Sequence, residues 1–107
     1  MEEIEPLELQ QWLRDESRRK PLLLDVREPQ EYEYCHIEGS LLMPVNDVPA
    51  RIGELDPEAD IVVICHHGHR SHRVGIYLEH SGFSRIYNLQ GGVDAWGHDV
   101  DPAMPKY

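Results

Sequence analysis

Long hydrophobic runs are missing from this sequence. The longest is five residues, Ile61–Cys65, a quarter of the roughly 20 that a membrane-spanning helix requires, so no membrane span is expected. Basic residues are scarce. Ten Lys and Arg stand against 20 Asp and Glu, for a formal net charge of -10. A surface of that sign repels a phosphate backbone, which argues against nucleic acid as a partner. Cysteine is scarce as well. Cys35 and Cys65 allow at most one disulfide, which excludes a disulfide-rich secreted scaffold, and there is no C-x-x-C pair for a thioredoxin-type redox role. The basic start of a secretory leader is replaced by Glu2, Glu3 and Glu5, and the chain reads as cytoplasmic. Repeats, low-complexity tracts and linkers are absent from the 107 residues, a length that suits one domain. We expect a single domain over residues 1–107 with a core from about 4 to 97. Asp99–Tyr107, interrupted by Pro102 and Pro105, reads as an extended end. A monomer is the default.

What remains is an alternation of short apolar runs and amphipathic stretches. Ile4 begins a short edge strand. Pro6, tolerated in a first helical turn, opens a helix to about residue 16 on the spacing of Leu9, Trp12 and Leu13. Leu22–Val26 reads as a buried strand, Pro29–Tyr34 as a short helix or turn, and Leu41–Val45 as a second apolar run. Asn46 is positioned to cap a helix reaching about Leu55. Ile61–Ile64, entirely β-branched, is the strongest strand signal. Arg70–Ser81 fits a helix that Gly82 can end. Arg85–Leu89 is a last strand, and Gly92–Trp96 a final helical turn. This order predicts an α/β fold with a mostly parallel central sheet flanked by helices. Such sheets bind ligands beyond the carboxyl ends of their strands, and Cys65 follows directly on the most hydrophobic one.

The segment Cys65-His66-His67-Gly68-His69-Arg70-Ser71 runs from strand to loop to helix. Gly68 permits a positive φ, which lets successive backbone N–H groups turn inward. A helix starting near Arg70 or Ser71 brings partial positive charge, and Arg70 adds a full one. A thiolate or small anion is stabilised in such a cradle. Residues 61–78 contain Arg70 and Arg73 but no Asp or Glu, although an even spread of the acids would place about three there. This acid-free island inside an acidic protein points to a site for a small anion. Cys65 is expected to be exposed at the strand end.

This loop resembles the active-site loop of the rhodaneses, a family of sulfurtransferases, and the resemblance extends beyond it. Asp25-Val26-Arg27-Glu28, Glu31-Tyr32, His36-Ile37-Glu38-Gly39-Ser40 and Pro44 are similar to the family's N-terminal signature. Tyr87-Asn88-Leu89-Gln90-Gly91-Gly92 with Trp96 is similar to its C-terminal one. One departure is Cys35, where the family usually has glycine before the His-Ile pair. It reads as a small buried side chain rather than a resolving thiol.

The resemblance implies a single-domain rhodanese fold with Cys65 as nucleophile and no cofactor or metal. Cys65 would attack the outer sulfur of thiosulfate, release sulfite, hold a persulfide, and pass the sulfur to cyanide, a thiol or a protein cysteine. The backbone of His66, His67, Gly68, His69, Arg70 and Ser71 would form the substrate cradle. Arg70 would grip the sulfonate oxygens through its fork of donors. The histidines need not be catalytic, because no general base is required. Asp25 and Arg27 are expected to support the strand end, with Arg27 paired to Asp25 or Glu31. Gly91 and Gly92 are expected to allow a tight turn near the site, and Trp12 and Trp96 to serve in packing.

Other readings fit less well. Related phosphatases and arsenate reductases place five residues between Cys and Arg, whereas four stand here, and the smaller ring of amides suits a sulfur atom better than a phosphate. Cys65 and the histidines are zinc-ligand types, but ligands normally come from two separated segments, and no second segment is visible in the sequence. A cysteine protease requires a distant His and an orienting residue on a larger scaffold. Two alternatives to a small-molecule enzyme stay open: a persulfide carrier serving a partner protein, and a non-catalytic interaction module of the same fold.

Overall fold

The structure, a computed structural model, describes residues 1–107. Its elements run β1 (Glu2–Ile4), α1 (Pro6–Arg14), β2 (Leu22–Asp25), α2 (Pro29–Tyr34), β3 (Leu41–Leu42), α3 (Val48–Arg51), β4 (Ile61–Ile64), α4 (His69–His80), β5 (Ile86–Leu89) and α5 (Gly92–Asp99). The five strands form one sheet in the order β1-β5-β4-β2-β3, and every pairing is parallel. The predicted α/β class and parallel sheet are therefore present, with helices on both faces.

Strand periodicity of two explains the layering. On β4, Val62 and Ile64 face one apolar cluster with Leu9 and Trp12 of α1 and Val93 and Trp96 of α5. Ile61 and Val63 face the other, with Val48 of α3 and Val74 and Leu78 of α4. Cys65 continues this alternation and belongs to the α4 face. Trp12 and Trp96 are packing residues, as expected. Cys35 is buried in the first cluster.

Local chemistry sets the helix starts. Pro6 and Pro29 each occupy a first helical turn, where the missing N–H costs nothing. Glu8 and Glu31 accept the backbone N–H of Glu5 and Glu28, both at 3.0 Å, as in a capping box. The helix expected from Asn46 to Leu55 is not continuous. A 3-10 turn (Val45–Asp47), the four-residue α3 and a second 3-10 turn (Ile52–Glu54) replace it, and Asn46 sits inside the first turn rather than capping a helix. Pro49, which lacks an N–H donor, and Gly53, a weak helix former, account for the break. Residues 101–107 contain neither helix nor strand, but they do not trail away from the domain. Met104 is buried in the first cluster, and Tyr107 reaches back to the end of β2.

That strand end is organised by a buried ion pair. Asp25 and Arg27 are both fully buried. The guanidinium donates from Nη2 to Asp25 Oδ2 at 2.7 Å and from Nε to Oδ1 at 2.9 Å. It also donates to the carbonyl of Cys35 at 2.7 Å and the Tyr107 hydroxyl at 2.8 Å. Burial works against the Arg27 charge, but hydrogen bonds to Asp25 and Tyr107 outweigh it and raise its pKa above arginine's ordinary value. The expected pairing is thus with Asp25; Glu31 supplies only its backbone carbonyl. Asp25→Ala would leave this cation buried without its counter-charge. Chemical denaturation should show a loss of about 3–5 kcal/mol, whereas a loss below about 1 kcal/mol would show that water reaches Arg27.

Candidate active site

Cys65 follows β4 at the carboxyl edge of the sheet, between the two flanking strands β2 and β5. The position is 1% exposed, so the expectation of an exposed thiol is corrected. The cause is the alternation of β4, which turns residue 65 inward beneath the loop and α4. The loop then closes over the sulfur. Gly68, at φ +104°, precedes the first residue of α4, a conformation that side-chain-bearing residues rarely adopt. Its N–H donates to Cys65 Sγ at 3.0 Å. Helix α4 begins at His69, one residue before the predicted start.

Ser71, fully buried, brings its Oγ within 3.3 Å of Cys65 Sγ. Ser71 also donates to Asn88 Oδ1 at 2.5 Å. Asn88 Nδ2 has acceptor-only partners, the Gly68 carbonyl at 3.1 Å and the Glu3 carboxylate at 3.0 Å. This fixes the amide's orientation. Ser71's single proton is therefore directed to Asn88, and in the thiol form the S–H is the donor to Ser71. The sequence marks Asn88 only as part of a signature, and nothing local announces its bonds to a loop some twenty residues away.

The loop is held from a second side by the start of α5. Val93 N–H donates to the Cys65 carbonyl at 2.9 Å, and Asp94 N–H to the His66 carbonyl at 3.1 Å. Gly91 and Gly92 adopt φ +76° and +62°, in agreement with the tight turn expected. At Gly92 a Cβ would lie 2.4 Å from the Cys65 carbonyl oxygen and 2.3 Å from that of His66. The close approach demands glycine.

Arg70 is directed to a carboxylate. It donates to Glu31 from Nη1 at 2.7 Å and from Nη2 at 3.0 Å, with its side chain 35% exposed. Glu31 also accepts the Tyr107 hydroxyl at 2.9 Å. The Arg70 hydrogen bonds hold the Glu31 carboxyl down at about 2, and those to Glu31 raise Arg70. Burial pushes the Tyr107 phenol up to about 12. His66 is half-buried, its ring stacked on that of Tyr107 with centroids 3.9 Å apart. Burial, then the neighbouring His67, lowers its pKa. His67 and His69 are exposed.

The Glu31 shift sets a pH dependence. A carboxyl whose folded pKa is depressed stabilises the fold fully above its ordinary value of 4.5 and loses that contribution as pH falls towards about 2. Glu31→Gln should lower the melting temperature at pH 7, and its difference from the wild type should shrink across that acid window. An offset unchanged between pH 5 and pH 2.5 would contradict the Arg70–Glu31 assignment.

The chain is similar to known proteins in both sequence and structure. A family model described as Rhodanese-like domain matches residues 6–99. The chain is 36% identical over 91 residues to the thiosulfate sulfurtransferase GlpE of Pseudomonas fluorescens, covering 85% of this chain and 81% of the relative. It is 38% identical over 89 residues to the Arabidopsis thaliana rhodanese-like/PpiC domain-containing protein 12, chloroplastic. It spans only 30% of that relative's length, and 26% of the probable adenylyltransferase/sulfurtransferase MoeZ of Mycobacterium tuberculosis. Among solved structures, a protein from Staphylococcus saprophyticus superposes with a TM-score of 0.84 at 31% identity, covering 94% of this chain and 97% of that one. The rhodanese-like domain protein of Staphylococcus aureus gives 0.85 at 27% identity, covering 100% and 99%. The family model covers most of the chain, as does the Pseudomonas fluorescens relative, and the chain belongs to the rhodanese-like domain family.

Proposed function

We propose that this protein is a thiosulfate sulfurtransferase in which Cys65 carries the sulfur. The observation that supports this most is the Cys65 sulfur at the end of β4, accepting the Gly68 N–H at 3.0 Å where a parallel sheet presents its ligand edge. A backbone donor aimed at sulfur stabilises negative charge there without any proton transfer. The relatives named thiosulfate sulfurtransferase supply the donor class.

In the first half-reaction the Cys65 thiolate attacks the outer sulfur of thiosulfate. The new S–S bond forms as the old one breaks, and sulfite leaves with the bonding pair. In the second, cyanide or a thiolate takes the outer sulfur, and Cys65 is released as thiolate. The chemistry is ping-pong covalent catalysis. The backbone of residues 66–71 lines the persulfide. Arg70, held at the mouth by Glu31, exchanges part of that contact for the sulfonate oxygens. Asp25, Arg27, Gly91 and Gly92 hold the loop's surroundings in register. A persulfide carrier uses the same first half-reaction and differs in transferring slowly to small acceptors and quickly to a protein cysteine.

Two variants test these roles. Cys65→Ser, nearly isosteric in its buried position, should reduce thiosulfate:cyanide turnover to background with an unchanged melting temperature; substantial residual turnover would mean another nucleophile. Arg70→Ala should raise KM for thiosulfate by roughly tenfold or more, the worth of a charge-assisted contact, with a smaller effect on a neutral persulfide donor. Equal losses with both donors would assign Arg70 to structure alone.

A further inference from the structure

The sequence shows no second ligand segment for a structural zinc site at the Cys65 loop, although its histidines are plausible ligands for adventitious nickel or zinc; the fold provides the second segment. Helix α5 brings Asp94 against the loop residues His66 and His67. One ligand atom from each of the three lies within 4.8 Å of the others. The convergence is built by backbone, since the Asp94 N–H donates to the His66 carbonyl at 3.1 Å and the preceding Val93 N–H to that of Cys65 at 2.9 Å. We propose that His66, His67 and Asp94 form a binding site for a zinc-type divalent transition ion beside the Cys65 loop.

Each donor is suited to the task. The His66 ring is fixed between two others, parallel to Tyr107 at 3.9 Å and tilted against His67 at 3.9 Å. His67 Nε2 lies 4.0 Å from Asp94 Oδ2, too far for a hydrogen bond. Ligands at about 2.0–2.1 Å on a tetrahedral ion stand about 3.3 Å apart, so the gap closes by less than 1 Å when an ion bridges it. The side chains that must move are the freer ones, His67 at 56% and Asp94 at 34% exposure. The other Asp94 oxygen is 4.0 Å from His98 Nδ1. That nitrogen donates to the Asp94 carbonyl at 2.8 Å, which leaves His98 Nε2 as the imidazole's lone-pair atom.

Two imidazoles and one carboxylate favour zinc, nickel or copper(II) over magnesium or calcium, which take oxygen ligands. Three protein ligands leave a coordination position open to water or a small anion. An ion there would tie the residue after Cys65 to α5. This site stands independently of the sulfur-transfer reading, since it uses neither the Cys65 thiol nor Arg70.

The test is calorimetric titration of the Cys65→Ser protein with zinc chloride, the substitution removing the thiolate as a rival ligand. One equivalent should bind, and Asp94→Asn and His67→Ala should each weaken it by roughly tenfold or more, as loss of a ligand does. His69→Ala and His72→Ala should leave it unchanged; His72 faces Glu3 at 3.7 Å, an acid–histidine pair with no third ligand. Circular dichroism confirms folding of each variant, and the exposed His67 provides a reading if Asp94→Asn is destabilised. Absence of binding at 100-fold excess over protein would overturn the proposal, as would affinity in the Asp94→Asn and His67→Ala proteins undiminished from that of the Cys65→Ser parent, which would mark adventitious binding to surface histidines.

Discussion

Strand β4 is hydrogen-bonded on both edges, to β2 and β5, and all four of its side chains are buried. Its β-branched residues fit this environment and have little freedom to lose there. The strand cannot slip by one residue without exchanging the two apolar clusters that flank the sheet. That constraint places residue 65 at the carboxyl edge and points it towards α4. Everything that touches the sulfur follows from this position. Gly68 turns the chain back so that its N–H meets Sγ, α4 begins with its first turn against the loop, and Gly92 lets α5 approach the Cys65 and His66 carbonyls.

Charge is handled around this centre by pairing. Asp25 neutralises Arg27 inside the domain, and Glu31 neutralises Arg70 at the surface of the site. Glu31 also caps α2 and accepts Tyr107, so one carboxylate joins the start of a helix, the loop arginine and the returning segment 101–107. Two carboxylates of an acidic protein are thereby each committed to an arginine. The segment from β4 through most of α4 contributes no acid at all.

Much of the fold was legible because it is written in local periodicity. Ile61–Ile64, the helix beginning at Pro6 and the stretch ending at Gly82 carry their signals within a few residues of one another. The helix predicted from Asn46 failed where Pro49 and Gly53 compete with the apolar pattern. Burial of Cys65 was present in the pattern too, because residues 61, 63 and 65 share one strand face, yet its position at a strand end suggested exposure. Other features had no local signal. Glu31 meets Arg70 across 39 residues and Asn88 meets Ser71 across 17. Tyr107 returns to Arg27 across 80, and Asp94 reaches the loop histidines only because α5 docks on their carbonyls. These contacts depend on the sheet order, which places β5 beside β4 and β2 on its other edge.

The central claim is that Cys65 becomes a persulfide. Intact mass spectrometry of the reduced protein after incubation with thiosulfate, and again after cyanide, tests it directly. The account predicts a gain of one sulfur atom, mapped by fragmentation to Cys65, that disappears as thiocyanate forms. No adduct on a demonstrably reduced Cys65, or an adduct on Cys35 in its place, would contradict it.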